Sequence, residues 1–143
     1  MKWKVLLPVG FVVILVLGAL QLLPFGHQAP DIDQSRSRTS ENGMFTVALE
    51  PETGTIEIGP LHAFILTVAT QDGQTVSEAT IEIGGGMPDH DHGLATQPEI
   101  TAALGEGRYR VEGVKFTMEG WWQLRFDIST AAGDDAVVFN IVL

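Results

Sequence analysis

Between residues 121 and 128, Trp122, Leu124, Phe126 and Ile128 alternate with Gln123, Arg125 and Asp127. A period of two puts successive side chains on opposite faces of an extended strand, whereas a helix would scatter the apolar set around its circumference. The four apolar residues therefore predict a buried face. Trp121, Gln123, Arg125 and Asp127 then face solvent or a partner. The same arithmetic sets Tyr109 and Val111 against Arg108, Arg110 and Glu112, and Val114, Phe116 and Met118 against Lys115, Thr117 and Glu119. It sets Val137, Phe139 and Ile141 against Val138, Asn140 and Val142, and puts His62 on one face with Phe64, Leu66 and Val68.

From residue 41 onward, short runs rich in Val, Ile, Thr and Phe are separated by Gly, Pro and Asp. That spacing predicts a β-sandwich. Strands are expected at about 44–49, 56–58, 62–70, 78–83, 99–103, 107–118 with a break at Gly113, 121–128 and 135–142. No useful window keeps a 3.6-residue period, so no helix is expected in this body. Gly105-Glu106-Gly107 suits a tight connection, and Gly120 lets the chain turn sharply before the Trp pair.

The N-terminal segment is different. Residues 1–30 hold 19 of the 64 apolar residues. Residues 5–25 are nearly all apolar, and as a helix they would span roughly 31 Å, close to the roughly 30 Å core of a bilayer. Lys2 and Lys4 precede this run, which predicts a cytoplasmic N-terminus and an exported body. A cleaved signal peptide is the competing reading, but the run exceeds the usual h-region and no clean A-x-A follows. The expected organisation is a single-pass anchor over 1–25 in the cytoplasmic membrane, a flexible linker over 26–40, and a periplasmic or surface body over 41–143. Arg36 and Arg38 are expected to be solvated within the linker, with contact to anionic headgroups as the alternative. The body's roughly 100 residues suffice for an independent core.

Composition removes several function classes. The formal charge of −10 argues against a nucleic-acid partner, which would select a basic stripe. With no cysteine, the chain has no disulfide framework, thiolate zinc site or Cys nucleophile. No Ser nucleophile stands in a recognisable motif, and no phosphate loop or carboxylate pair is identifiable, so an enzyme is not expected.

One stretch looks chemical: Gly84-Gly85-Gly86-Met87-Pro88-Asp89-His90-Asp91-His92-Gly93. In an extended chain His90 and His92 project to the same side. Imidazole is the commonest protein metal ligand, and a thioether is soft and favours Cu(I). Met87 with two His and no Cys therefore leans toward a copper ion, whereas zinc would recruit His90, His92 and a carboxylate from Asp89 or Asp91. A solvated polar loop is the alternative. Met118 is a candidate fourth ligand, with a core methionine as the alternative. His62 is a candidate ligand or second-shell donor, with a satisfied boundary histidine as the alternative. Trp121 is a candidate cation–π lid or interaction surface. His27 is taken as incidental. Residues 41–143 carry 16 acidic against 4 basic side chains, a net of −12 that raises the local cation concentration.

These pieces together resemble the YtkA-like domains, related to FixH-like proteins of bacterial envelopes. The resemblance rests on Ser40-Glu41-Asn42-Gly43, on Leu61-His62, on the Gly-rich Met-Pro-Asp-His-Asp-His-Gly segment, on Gly107-Arg108-Tyr109-Arg110-Val111-Glu112-Gly113, and on Phe116-Thr117-Met118-Glu119-Gly120-Trp121-Trp122. It covers residues 40–143. It implies an immunoglobulin-like β-sandwich on a membrane tether. FixH-like relatives are linked to maturation of copper-containing respiratory oxidases, which implies an envelope partner such as an oxidase assembly component. A metal-free envelope interaction domain is the other function class that the residues allow.

Overall fold

A computed structural model of the chain describes residues 31–143. The expected membrane helix over 1–25 lies outside the described residues. Among the described residues no helix is long and apolar enough to cross a membrane. From Ile32 to Leu143 the chain forms one compact unit.

Among the described residues the strands are β1 (Ser37–Thr39), β2 (Phe45–Pro51), β3 (Leu61–Thr70), β4 (Thr80–Met87), β5 (His92–Gly93), β6 (Glu99–Gly105), β7 (Arg108–Lys115), β8 (Trp121–Thr130) and β9 (Gly133–Val142). They form a five-stranded sheet of order β1-β2-β3-β7-β6 and a four-stranded sheet of order β5-β4-β8-β9. All of these pairings are antiparallel. Phe64, Leu66, Val68, Val111 and Val114 from one sheet share a buried core with Trp122, Leu124, Phe126, Phe139 and Ile141 from the other. Every inward face predicted from the period of two is buried, Met118 excepted.

The expected strand over 56–58 does not form. Ile58 makes a single bridge to Phe116, and the Gly59 N–H donates to the Phe116 carbonyl at 2.8 Å. Gly59, at φ +106°, and Pro60 turn the chain here before a ladder can extend.

The expected break at Gly113 is a bulge. Opposite β3, His62 pairs with Val114 and Phe64 with Val111, so Glu112 and Gly113 together face Ala63. Gly113 takes φ +87°. The extra residue shifts the alternation, so that Val111 and Val114 both face the core.

The body begins earlier than the boundary expected at residue 41. β1 covers the outer edge of β2, with Ser37 opposite Ala48 and Thr39 opposite Thr46. Upstream, the Asn140 side-chain amide donates to the Asp33 carbonyl at 2.8 Å, and the Val142 N–H donates to Gln34 Oε1 at 3.2 Å. Arg38 pairs with Asp33 at 3.0 Å, and Arg36 is half-buried with its carbonyl accepting from the Leu49 N–H. An open sheet edge favours such pairing, which linker-like composition does not reveal.

At the far end, Asp135 organises the Ser40-Glu41-Asn42-Gly43 turn. Its buried carboxylate accepts from the Ser40 hydroxyl at 2.6 Å, the Asn42 amide at 2.9 Å, and the backbone N–H groups of Asn42, Met44 and Ala136. Burial alone would raise its pKa. The donated hydrogen bonds outweigh burial and hold it well below the usual carboxylate range.

Candidate metal centre

The Gly-rich segment is the end of β4 rather than a loop. Gly85 takes φ +148°, and a Cβ there would collide with the Gln123 carbonyl of β8. A Cβ on Gly86 would collide with the His92 carbonyl of β5. The missing side chains let β4 press between two neighbours and carry Met87 to the end of the sheet. Pro88 then opens a single 3-10 turn, Pro88–His90, and Asp91 reverses the chain in the left-handed region at φ 50°. The hairpin closes with Met87 directly opposite His92.

Directly paired residues of an antiparallel ladder project to the same face. Met87 is buried at 2% exposure, and His92 is exposed beside it. The His92 ring meets the Trp122 ring edge-on, with centroids 5.9 Å apart. The His90 and His92 rings lie 5.9 Å apart at 31°. The sequence expectation of neighbouring imidazoles is met by a different geometry. The turn and the left-handed Asp91 bring the rings together, where an extended chain was expected to do so.

His92 Nδ1 lies 3.2 Å from the Gly93 carbonyl. With Nδ1–H donating there, Nε2 keeps its lone pair for a cation. An open groove of about 450 Å³ runs along the outer face beside the hairpin, bounded by Gly85, His92, Gln123 and Arg125, and leaves His92 reachable from solvent.

Two other elements converge on this hairpin. The Trp122 indole N–H donates to the Met118 carbonyl at 3.0 Å, which ties the β7–β8 connection to the ring that His92 touches. Gly120, at φ +127°, leaves room for the Met87 methyl group, since a Cβ there would stand 2.8 Å from Met87 Cε. Met118 is 42% exposed, so it is not a core methionine.

His62 is placed differently. It is buried, and its Nε2 lies 2.8 Å from the Glu57 carbonyl. Its ring packs on Phe116 at 5.8 Å, and Phe116 packs on Trp122 at 5.5 Å. Two aromatic rings thus lie along the contact path from His62 to His92, and His62 is satisfied as a boundary histidine. Trp121 is also elsewhere. It pairs with Val142 on β9 and donates from Nε1 to Asn140 Oδ1 at 3.0 Å, so the indole beside the histidines belongs to Trp122. Trp122 was legible only as core, because a period of two cannot show that a buried ring ends at a surface site. Among the described residues no three His, Asp or Glu side chains converge as a metal-binding group. The zinc-type set of His90, His92 and a carboxylate is therefore not assembled among the described residues, and the softer donor paired with His92 is the Met87 thioether.

Two antiparallel sheets around a shared core, with a Met–His hairpin at one end, define a small all-β domain with a terminal donor cluster. The family model for YtkA-like proteins matches residues 39–127, and the chain belongs to the YtkA-like family. No curated protein and no solved structure matches the chain.

Proposed function

We propose that this protein is a membrane-tethered, extracytoplasmic copper-binding module. Residues 1–25 serve as a single-pass anchor with a cytoplasmic N-terminus, and the two sheets form an immunoglobulin-like sandwich outside. Met87, His90 and His92 hold Cu(I), and Met118 closes the shell from the β7–β8 connection. His62 is left out of the ligand set. The protein performs no catalysis. It holds copper and passes it to an envelope partner, with respiratory oxidase assembly, the process linked to FixH-like relatives, as the destination.

The observation that carries this reading is the pairing of Met87 with His92 beside the His90 ring. One buried thioether and two exposed imidazoles offer soft and borderline donors at one spot, which suits Cu(I) over harder cations. Ligands on a two-residue strand and a single turn also suit exchange more than storage.

Titration with Cu(I) against a chromophoric chelator under reducing conditions tests the reading. One-to-one binding in the wild type, lost in the His90→Ala/His92→Ala double variant with folding retained, is expected. Equal affinity in the two proteins would overturn it.

A metal-free interaction domain draws support from one observation. β5 pairs with Gly86 and Met87 alone, so among the described residues the remainder of β4 has no ladder partner on that side. Such an edge can accept a strand from another protein. A co-purifying partner that survives the double His variant and is lost when Glu82→Pro blocks the open edge of β4 would favour this second reading.

A further inference from the structure

Four glycines meet where β4 and β5 carry Met87 and His92: Gly84, Gly85 and Gly86 on β4, and Gly93 on β5. Packing accounts for two of them. A Cβ on Gly85 would collide with the Gln123 carbonyl, and one on Gly86 with the His92 carbonyl. The other two have no such reason. Neither Gly84 nor Gly93 takes a positive φ. A Cβ on Gly84 would meet nothing within 4 Å, and one on Gly93 would make an ordinary contact of 3.6 Å with the Gly85 carbonyl. Glycine inside a strand costs roughly 0.5–1 kcal/mol relative to alanine. Where the fold does not require it, it marks a place that a ligand or another backbone approaches closely.

The groove beside the hairpin is that place. In register, Gly86 stands between Gly93 and Gln123, and Gly84 stands opposite Arg125, which in turn faces Val138. Gln123 and Arg125 flank the buried Leu124, so these rows lie on the outer face of the sheet. Gly86, Gly93, Gln123, Arg125 and Val138 line the groove, and Met87 and His92 line it too. From β5 across β4 and β8 to β9 is roughly 14 Å, the length of about four extended residues. The groove is open to solvent and cannot enclose a small molecule, which would need most of its surface buried. An extended segment held by the rest of its own protein needs no enclosure.

Charge narrows the choice of segment. Arg125 is held by Glu41 at 2.7 Å and by Asp127 at 2.9 Å, so its charge is neutralised within the body. Glu82 is exposed opposite Asp127, and Asp91 lines the groove. Glu41, Glu82, Asp91 and Asp127 thus surround a single guanidinium, which favours a basic segment over an acidic one.

We propose that the groove seats an extended, basic peptide segment of a partner protein, the partner that exchanges copper with Met87 and His92. Only the partner's identity rests on the proposed copper binding. The seat is on the face of the sheet, apart from the open edge of β4. A thioether or imidazole on the segment arrives beside His92. The bond from Cu(I) to His92 breaks as one to the incoming neutral donor forms, and neither an electron nor a proton moves.

The probe is a short fluorescein-labelled peptide of alternating threonine and methionine with a lysine at each end. Its anisotropy is followed as metal-free full chain in nonionic detergent micelles is added, as wild type, Gly84→Trp and Val138→Trp. The new indoles occupy the groove from β4 and from β9. Saturable binding to the wild type, about tenfold weaker or more in both variants, is expected. A peptide with glutamates in place of the lysines should bind the wild type more weakly. No saturable binding to the wild type, equal affinity in the three proteins, or tighter binding of the glutamate peptide overturns the proposal. Gly84→Trp should melt close to the wild type; a collapse of folding would show that the fold itself requires Gly84, and overturns the argument from it. Cu(I) titration is scored separately. Equal affinity in wild type and Gly84→Trp is expected, whereas a wild type that binds no Cu(I) overturns the copper reading and leaves the groove to be judged by the anisotropy.

Discussion

At Gly120 the backbone sits at φ +127° with the Met87 methyl group lying where a Cβ would stand. Gly120→Ala must therefore both strain the backbone and push the Met87 thioether out of place. A stability loss of roughly 1–2 kcal/mol in chemical denaturation is expected, because the neighbour to be moved is the end of a flexible side chain. Cu(I) affinity should fall about tenfold or more, equivalent to about 1.4 kcal/mol. Unchanged affinity would remove Met87 from the ligand set. Asp135 makes a second residue-scale case. Its native pKa is lowered, so its stabilising contribution is complete above the unfolded carboxyl range near pH 4 and is lost as pH falls below it. Asp135→Asn should cost at least about 2 kcal/mol at pH 7, since Ser40, Asn42 and Met44 lose a charged acceptor. Unfolding curves from pH 7 to pH 2 should show that difference shrinking below about pH 4. Asp135 could not be singled out from the sequence. It shares its face of β9 with Val137 and Phe139, but its partners on the Ser40–Met44 turn are more than ninety positions away.

β4 behaves as an element with three residues in a row that carry no side chain, just before its final Met87. Residues 84–86 are glycines, and the strand survives them because β8 pairs with Gly84, Gly85 and Gly86, and β5 with Gly86. Gly85→Ala places a methyl group against the Gln123 backbone, and backbone cannot yield as a side chain does. A loss of roughly 3 kcal/mol or more in thermal or chemical unfolding is expected, with β4 and its hairpin displaced from β8. Gly84→Ala meets nothing within 4 Å and should be far milder. The contrast between these neighbours tests whether close strand approach builds the hairpin. It also marks what the sequence made legible. Strands with two buried neighbours and a clean alternation, such as β3, β8 and β9, are readable because their pattern records burial directly. β1 and β5 were not readable, since two or three polar residues pair there to cover an edge and bury little. The expected strand over 56–58 failed for the converse reason: β-branched residues stood next to a Gly-Pro turn. Met87, His90 and His92 were legible as a trio from spacing. That Trp122 touches His92 and Gly120 makes room for Met87 was not, because those contacts join β4 and β5 to the start of β8 across about thirty residues of chain.

For the whole molecule, the two ends of the sandwich are built differently. One is held by a buried carboxylate network around Asp135. The other gathers two histidines, two methionines, most of the exposed apolar side chains and the point where the chain enters the body. A net charge of −12 over residues 41–143 surrounds both with a field that attracts cations. Field alone does not select a metal, and the donors do. X-ray absorption at the copper edge of Cu(I)-loaded protein, wild type beside Met87→Leu, therefore decides whether a thioether shares the ion with the histidines. A mixed shell of nitrogen and sulfur is expected in the wild type, with sulfur scattering reduced in the variant. A shell of nitrogen and oxygen alone, or one that Met87→Leu leaves unchanged, would contradict thioether ligation.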